Sequence, residues 1–132
     1  MTIYSRSAEA AALLALILPA CTPQPAPNGP PNSAQEHYTA RGQEPGWTLT
    51  IANGRMEYVG DYGATQIDVP RPEPITAING HVYRTERLIV STSHGRCNDA
   101  MSGQGYADSV QVIADGKTVK GCGGERRPDW DM

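Results

Sequence analysis

Phenylalanine is absent from this 132-residue chain, and only 19% of its residues are charged. Aromatic bulk after the N-terminal segment falls to Trp47, Trp130 and the tyrosines 38, 58, 62, 83 and 106. Their polar tips suit the walls and rim of a small barrel as well as a core. No apolar run approaches the ~20 residues that a membrane-spanning helix requires. No basic cluster exceeds Arg126-Arg127 and the net charge is −3, which argues against a nucleic-acid partner. Gly121-Cys122-Gly123-Gly124 is glycine-rich but lacks the Lys-Ser/Thr of a phosphate loop, so nucleotide binding is not expected. Ser102 lies in no nucleophile-elbow pattern. His81, His94, Cys97 and Cys122 are enough donors for a metal, yet no close pair has zinc-ligand spacing. The expectation is a non-enzymatic protein with no metal and no cofactor.

What is present begins at the N-terminus. Ala10-Ala11-Ala12-Leu13-Leu14-Ala15-Leu16-Ile17-Leu18-Pro19-Ala20-Cys21 is a short apolar run that follows Arg6 and ends in small residues before a cysteine. This layout is that of a secretory signal. Leu18-Pro19-Ala20-Cys21 resembles the lipobox of bacterial lipoproteins, in which cleavage precedes a cysteine that receives lipid. The resemblance implies a signal peptide over 1–20 and lipidation at Cys21. Thr22 rather than Asp after that cysteine resembles the outer-membrane sorting pattern of enterobacterial lipoproteins. The implied location is the cell envelope, lipid-anchored at the outer membrane and facing the periplasm. Several acyl chains on one cysteine anchor a protein stably where one would not.

Residues 22–33 contain Pro23, Pro25, Pro27, Pro30 and Pro31. Such a stretch favours an extended polyproline II spacer, so 21–36 reads as a tether. The remainder, 37–132, is the length of one domain. Removing Arg6 and Glu9 with the signal leaves the charge balance unchanged. If Cys21 carries lipid, Cys97 and Cys122 remain as a pair, and in an oxidising periplasm such a pair is expected to form a disulfide. Closing that loop stabilises a small domain by roughly 3–4 kcal/mol in the chain-entropy treatment.

No twelve-residue segment after the tether keeps a helical period. Asn53-Gly54, Asn79-Gly80 and Asp115-Gly116 favour type I′ hairpin turns, because both central residues need positive φ. Trp47, Leu49 and Ile51 alternate with Thr48 and Thr50, and Ile67 and Val69 with Gln66 and Asp68. Leu88-Ile89-Val90 is a continuous run suited to a strand covered on both sides. The pattern predicts an all-β fold, a small antiparallel β-barrel of about eight strands with one disulfide. Expected strands are 38–41, 47–52, 55–60, 64–69, 74–78, 81–86, 87–94 and 108–114, with a ninth piece at 117–121. One short helical turn is expected around Asp99-Ala100-Met101.

Two segments are candidate binding surfaces. In Arg41-Gly42-Gln43-Glu44-Pro45-Gly46-Trp47 the turn is either a structural corner or a recognition surface made by Arg41, Glu44 and Trp47. In Cys97-Asn98-Asp99-Ala100-Met101-Ser102-Gly103-Gln104-Gly105-Tyr106 the loop is long for a hairpin connection. It is either a local cap, with Asp99 or Ser102 satisfying backbone groups, or a binding loop that presents Asp99, Ser102 and Tyr106. His94, Cys97 and Asp99 also raise a thiol-nucleophile reading, which a disulfide would remove.

These segments, together with Tyr62-Gly63 and Gly121-Cys122-Gly123-Gly124, resemble an uncharacterised family of bacterial envelope lipoproteins with the pattern EPGW … CxDxMSG … GCG. The resemblance covers nearly all of 38–124. It implies envelope location and little chemistry. More distantly the chain is similar to META-domain proteins and to the membrane-bound inhibitors of c-type lysozyme. Those inhibitors present a Ser-Gly-x-x-Tyr loop, which Ser102-Gly103-Gln104-Gly105-Tyr106 matches, although neither Lys117 nor Lys120 lies in a motif matching their second contact. The leading expectation is a membrane-anchored module that binds or maintains an envelope component. A lysozyme inhibitor is the alternative, and a redox or metal-handling protein using Cys97 and Cys122 is the third. The address has a direct check. Intact-mass analysis of membrane-extracted protein should show loss of residues 1–20 and added lipid on Cys21; a soluble form starting elsewhere would refute it.

Overall fold

Asn53-Gly54 and Asp115-Gly116 turn the chain with positive φ, and strands run on either side of each. The computed structural model describes residues 37–132. The expected signal peptide, the lipidation of Cys21 and the tether of 21–36 lie outside the described residues. Nine strands follow in order: β1 (Tyr38–Gly42), β2 (Trp47–Ala52), β3 (Arg55–Gly60), β4 (Thr65–Pro70), β5 (Ile75–Ala77), β6 (Gly80–Arg84), β7 (Leu88–Asn98), β8 (Gly105–Ala114) and β9 (Lys117–Arg126). All neighbours are antiparallel, in the order β4-β3-β2-β1-β9-β8-β7-β6-β5. Two meanders, β1–β4 and β5–β9, therefore join at one seam where β9 returns to lie beside β1.

The all-β barrel-like architecture expected from the turn spacing is borne out, as a nine-stranded sheet curled into a half-barrel. The free edges are β4 and β5, consecutive in the chain. Both are blunted by proline: β4 ends at Pro70, and Pro72 and Pro74 precede the three-residue β5. Proline has no N–H to offer an incoming strand. The Arg71 guanidinium lies 5.4 Å from the Tyr83 ring centroid, between the β4–β5 connection and β6.

One face of the sheet is apolar and turns inward. Leu49, Ile51, Met56, Tyr58, Ile67, Leu88, Val90, Val110, Val112 and Val119 form one buried cluster drawn from both meanders. The alternation read from β2, β3 and β4 is the alternation observed, since period-2 side chains on a pleated strand fall on opposite faces. In β7, Leu88 and Val90 are fully buried but Ile89 is only half-buried, so the run is covered well on one side alone.

The local differences have physical causes. Asn53-Gly54 and Asp115-Gly116 do adopt positive φ, as I′ turns require. At the third hairpin the turn residues are Ile78-Asn79 and neither has positive φ. Gly80 instead opens β6, where an added Cβ would stand 1.8 Å from the Thr92 carbonyl oxygen. Glycine is needed there for close approach of two strands, not for the bend. The helical turns form at Asp61–Gly63 and Pro128–Trp130. Asp99–Ser102 closes instead as a single turn, with Gly103 N–H donating to the Asp99 carbonyl at 2.8 Å. Register shifts between His94 and Cys97 and between Tyr106 and Asp108 carry pairing past glycines, so β7, β8 and β9 run longer than the pattern suggests.

Cys97 and Cys122 form the expected disulfide, with Cα atoms 5.6 Å apart. It ties the end of β7 to β9 and anchors the 97–106 loop. Cys97→Ser should lower unfolding stability by about 2–5 kcal/mol. Urea unfolding of both proteins checks this, and an unchanged midpoint would contradict it.

Candidate functional site

The corner between β1 and β2 and the loop between β7 and β8 are 56 positions apart at Arg41 and Cys97, yet they meet. β1 lies beside β9, and β9 carries Cys122, so the seam of the sheet brings the two segments to one end. The Trp47 indole is buried against Tyr58, with ring centroids 6.1 Å apart, and its Nε1 donates to the Lys120 carbonyl at 3.3 Å. The Arg41 guanidinium sits 6.0 Å from the Tyr106 ring centroid, and Arg126 sits 5.7 Å from it. Gln43 and Asp99 line one small cavity of about 200 Å³ where the two segments meet.

Asp99 is the hub of the loop. It is 6% exposed, accepts the Ser102 hydroxyl at 2.7 Å and receives the backbone N–H of Met101. Burial pushes its carboxyl up, but the donors from Ser102 and Met101 outweigh this and hold it below the usual carboxylate range. The C-terminal residues brace the other side. Asn98 Nδ2 donates to the carbonyls of Trp130 at 2.7 Å and Gly103 at 3.1 Å, and Gly105 N–H donates to Asp131. Arg126 pairs with both oxygens of Asp131 at 2.7 Å.

The sequence-expected residues therefore divide. Trp47, Asp99 and Tyr106 are buried and hold the two segments together. Arg41, Glu44 and Ser102 are exposed, as are Gln43 and Met101. The Tyr106 hydroxyl is turned onto Gln104 Oε1 at 3.0 Å. Glu44 has φ of 51° and precedes a cis Pro45. Gln43 and Met101 were missed as surface residues, since neither type signals chemistry in a sequence.

Beside this end lies an open cleft of about 520 Å³ lined by Arg41, Gln43, Trp47, Thr48, Val59 and Tyr62. Tyr62 forms its far wall. Its backbone is left-handed, with φ of 56° and ψ of 34°, between Asp61 at 50° and Gly63 at 98°. A left-handed conformation costs an ordinary L-residue about 1–2 kcal/mol. The turn is held by the Asp61–Lys117 ion pair, by Thr65 Oγ1 donating to Asp61 at 2.8 Å and by Tyr62 N–H donating to the Gly46 carbonyl at 3.2 Å. Gly46 leaves room for the ring, since a Cβ there would stand 2.9 Å from it.

A second polar group sits at the mouth of the half-barrel. Asp108 is 4% exposed and holds His94 Nδ1 at 2.6 Å and the Tyr38 hydroxyl at 2.9 Å. Burial, then the charge of Asp108, pushes the Tyr38 phenol well above its ordinary value. A carboxylate only accepts, so Nδ1 carries the hydrogen that faces Asp108. His81 lies 6.2 Å from His94 between ring centroids, on a cavity of about 280 Å³. Sequence spacing hid this group; the signal is cross-strand register, His94 opposite Asp108 and His81 opposite Thr92. Among the described residues no three His, Cys, Asp or Glu side chains converge as a metal-ligand set. The thiol-nucleophile reading of Cys97 lapses because its sulfur is bridged.

No protein-family model, curated protein or solved structure matches this chain.

The loop hub has a pH signature. With its folded pKa depressed, the Asp99 contribution is fully present above the unfolded value of about 3.9 and is lost as pH falls through the lower folded value. Urea midpoints should therefore drop on acidification below about pH 4, and Asp99→Asn should flatten part of that drop. An identical acid profile in the variant would contradict the role of this carboxylate.

Proposed function

We propose that this protein is a non-enzymatic envelope lipoprotein: a lipid-anchored half-barrel that binds an envelope component through the end built from the Arg41–Trp47 corner and the 97–106 loop. One observation carries the reading. Two segments remote in sequence are joined into one surface by the Arg41–Tyr106 stack and, through β9, by the disulfide, with Gln43 and Asp99 lining one small cavity between them. That surface is fixed before any partner arrives, which lowers the entropy lost on binding. It presents Arg41, Gln43, Glu44, Met101 and Ser102 to solvent. Met101 is 70% exposed, an apolar group among polar ones. Such a mixture of an apolar anchor and a polar rim suits a protein or glycan contact.

Burial of Tyr106 leaves Ser102 as the presented member of the Ser-Gly-x-x-Tyr pentapeptide. This weighs the lysozyme-inhibitor reading below the envelope module. The Cys97–Cys122 bridge, with Cys122 3% exposed, weighs the redox reading lower still.

The test uses the chain from Thr22 onward, immobilised and exposed to solubilised envelope material. Parent protein should retain a component that Arg41→Glu with Met101→Asp releases, while the variant still unfolds in one cooperative transition. Equal capture by parent and variant would refute the assigned end. Inhibition of a c-type lysozyme at about micromolar protein, lost in Ser102→Ala, would move the function to the alternative.

A further inference from the structure

We infer that the cleft between the Arg41–Trp47 corner and the Asp61–Gly63 turn is a sugar-binding subsite, with the exposed Tyr62 ring as the platform on which one pyranose face stacks. The inference deepens the binding-module reading and rests on it for the choice of end.

Tyr62 is the starting point. Among the described residues, five other than glycine have positive φ. Asn53 and Asp115 lie in hairpin turns that need it, and Glu44 belongs to the corner before Pro45. Asp61 and Tyr62 are left, side by side, and an aromatic residue is among the poorest choices for that conformation. The strain is not offset by burying the ring, because Tyr62 is 74% exposed. The fold nevertheless holds this turn from three directions, through Lys117, Thr65 and Gly46. Strained backbone that displays a side chain to solvent is found where the display is used.

The cleft says what the display suits. One side of the Tyr62 ring lies against Gly46, and the half-exposed Val59 adds apolar surface beside it. Arg41, Gln43 and Thr48 add hydrogen-bonding groups to the same lining. A pyranose matches this pairing, since it has a flat C–H face for an aromatic ring and equatorial hydroxyls for amide, guanidinium and hydroxyl partners. A nucleotide matches it poorly, because among the described residues Arg41 alone brings a positive charge to the cleft. A purely apolar ligand would leave those polar groups without partners. The cleft is open to solvent, and its volume of about 520 Å³ is enough for one sugar unit.

The experiment is an NMR titration of the chain from Thr22 onward with N-acetylchitotetraose and, separately, with cellotetraose. Binding at about millimolar strength should shift the amides of Gln43, Thr48 and Gly63. Tyr62→Ala and Tyr62→Gly should each weaken it by roughly tenfold, and Tyr62→Trp should keep it. Tyr62→Gly also controls for folding: it relieves the left-handed strain, so it should melt no lower than the parent while still losing the sugar. Preference for the first tetramer assigns an N-acetylated amino-sugar chain of the cell-wall type, and preference for the second a neutral glucan. No shifts with either sugar, or binding equal in Tyr62→Ala, would overturn the subsite. If the sugars are silent and a proline-rich peptide shifts the same amides, the ligand class is overturned in favour of a peptide. Envelope capture that is lost in the Arg41 and Met101 variant, with both sugars silent, would overturn the sugar inference alone.

Discussion

A single β-sheet has one apolar face and nothing to cover it but itself. Here the curl of the nine strands is what turns Leu49, Ile51 and Met56 of one meander toward Leu88, Val90 and Val112 of the other. The joint between the meanders is the β1–β9 seam, whose register pairs Ala40 with Gly123 and Arg41 with Cys122. If the seam opened, each meander would expose half a core. The disulfide from Cys122 to Cys97 holds β9 to β7 across β8 just where pairing becomes irregular. Core, seam and disulfide are thus one constraint acting at successive points.

The candidate site follows from that constraint. Because β1 must lie beside β9, the corner that ends β1 is delivered to the loop that Cys97 begins. Trp47 serves both, with its ring in the core and its Nε1 on the Lys120 carbonyl of β9. Tyr106 does the same from the loop side, buried beneath Arg41 and Arg126. The C-terminal residues close the assembly through Asn98–Trp130 and Gly105–Asp131. The buried members of each segment position the exposed ones, and in the proposed binding role the contact would fall to Arg41, Gln43, Met101 and Ser102.

Strands were legible in the sequence wherever alternation and an Asn-Gly or Asp-Gly turn agreed, as at Trp47–Ile51 and around Asp115-Gly116. Their ends were less legible. The β-bulge after His94 keeps Cys97 paired with Tyr106, and no composition rule distinguishes a glycine that ends a strand from one that bends it. The disulfide was legible once Cys21 was set aside by its lipobox-like context. The meeting of the corner and the loop was not, because it depends on which strands close the seam. The Asp108–His94–Tyr38 group was hidden for the same reason: Tyr38 and Asp108 are 70 positions apart and meet only across the curled sheet. Tyr62 was visible as part of a motif, but its strained display is a property of the backbone alone.

The account stands on the corner–loop end being ordered before it binds anything. Hydrogen exchange of the unliganded chain tests this most directly. The amides of Asp99, Gly103, Gly105 and Met132 each donate to a partner within the loop or the C-terminal segment. They should exchange slowly, as strand amides do, and lose protection together when the disulfide is reduced. If they exchange at the rate of an unstructured peptide while the amides of β2, β7 and β8 stay protected, the end is not pre-organised and the central claim fails.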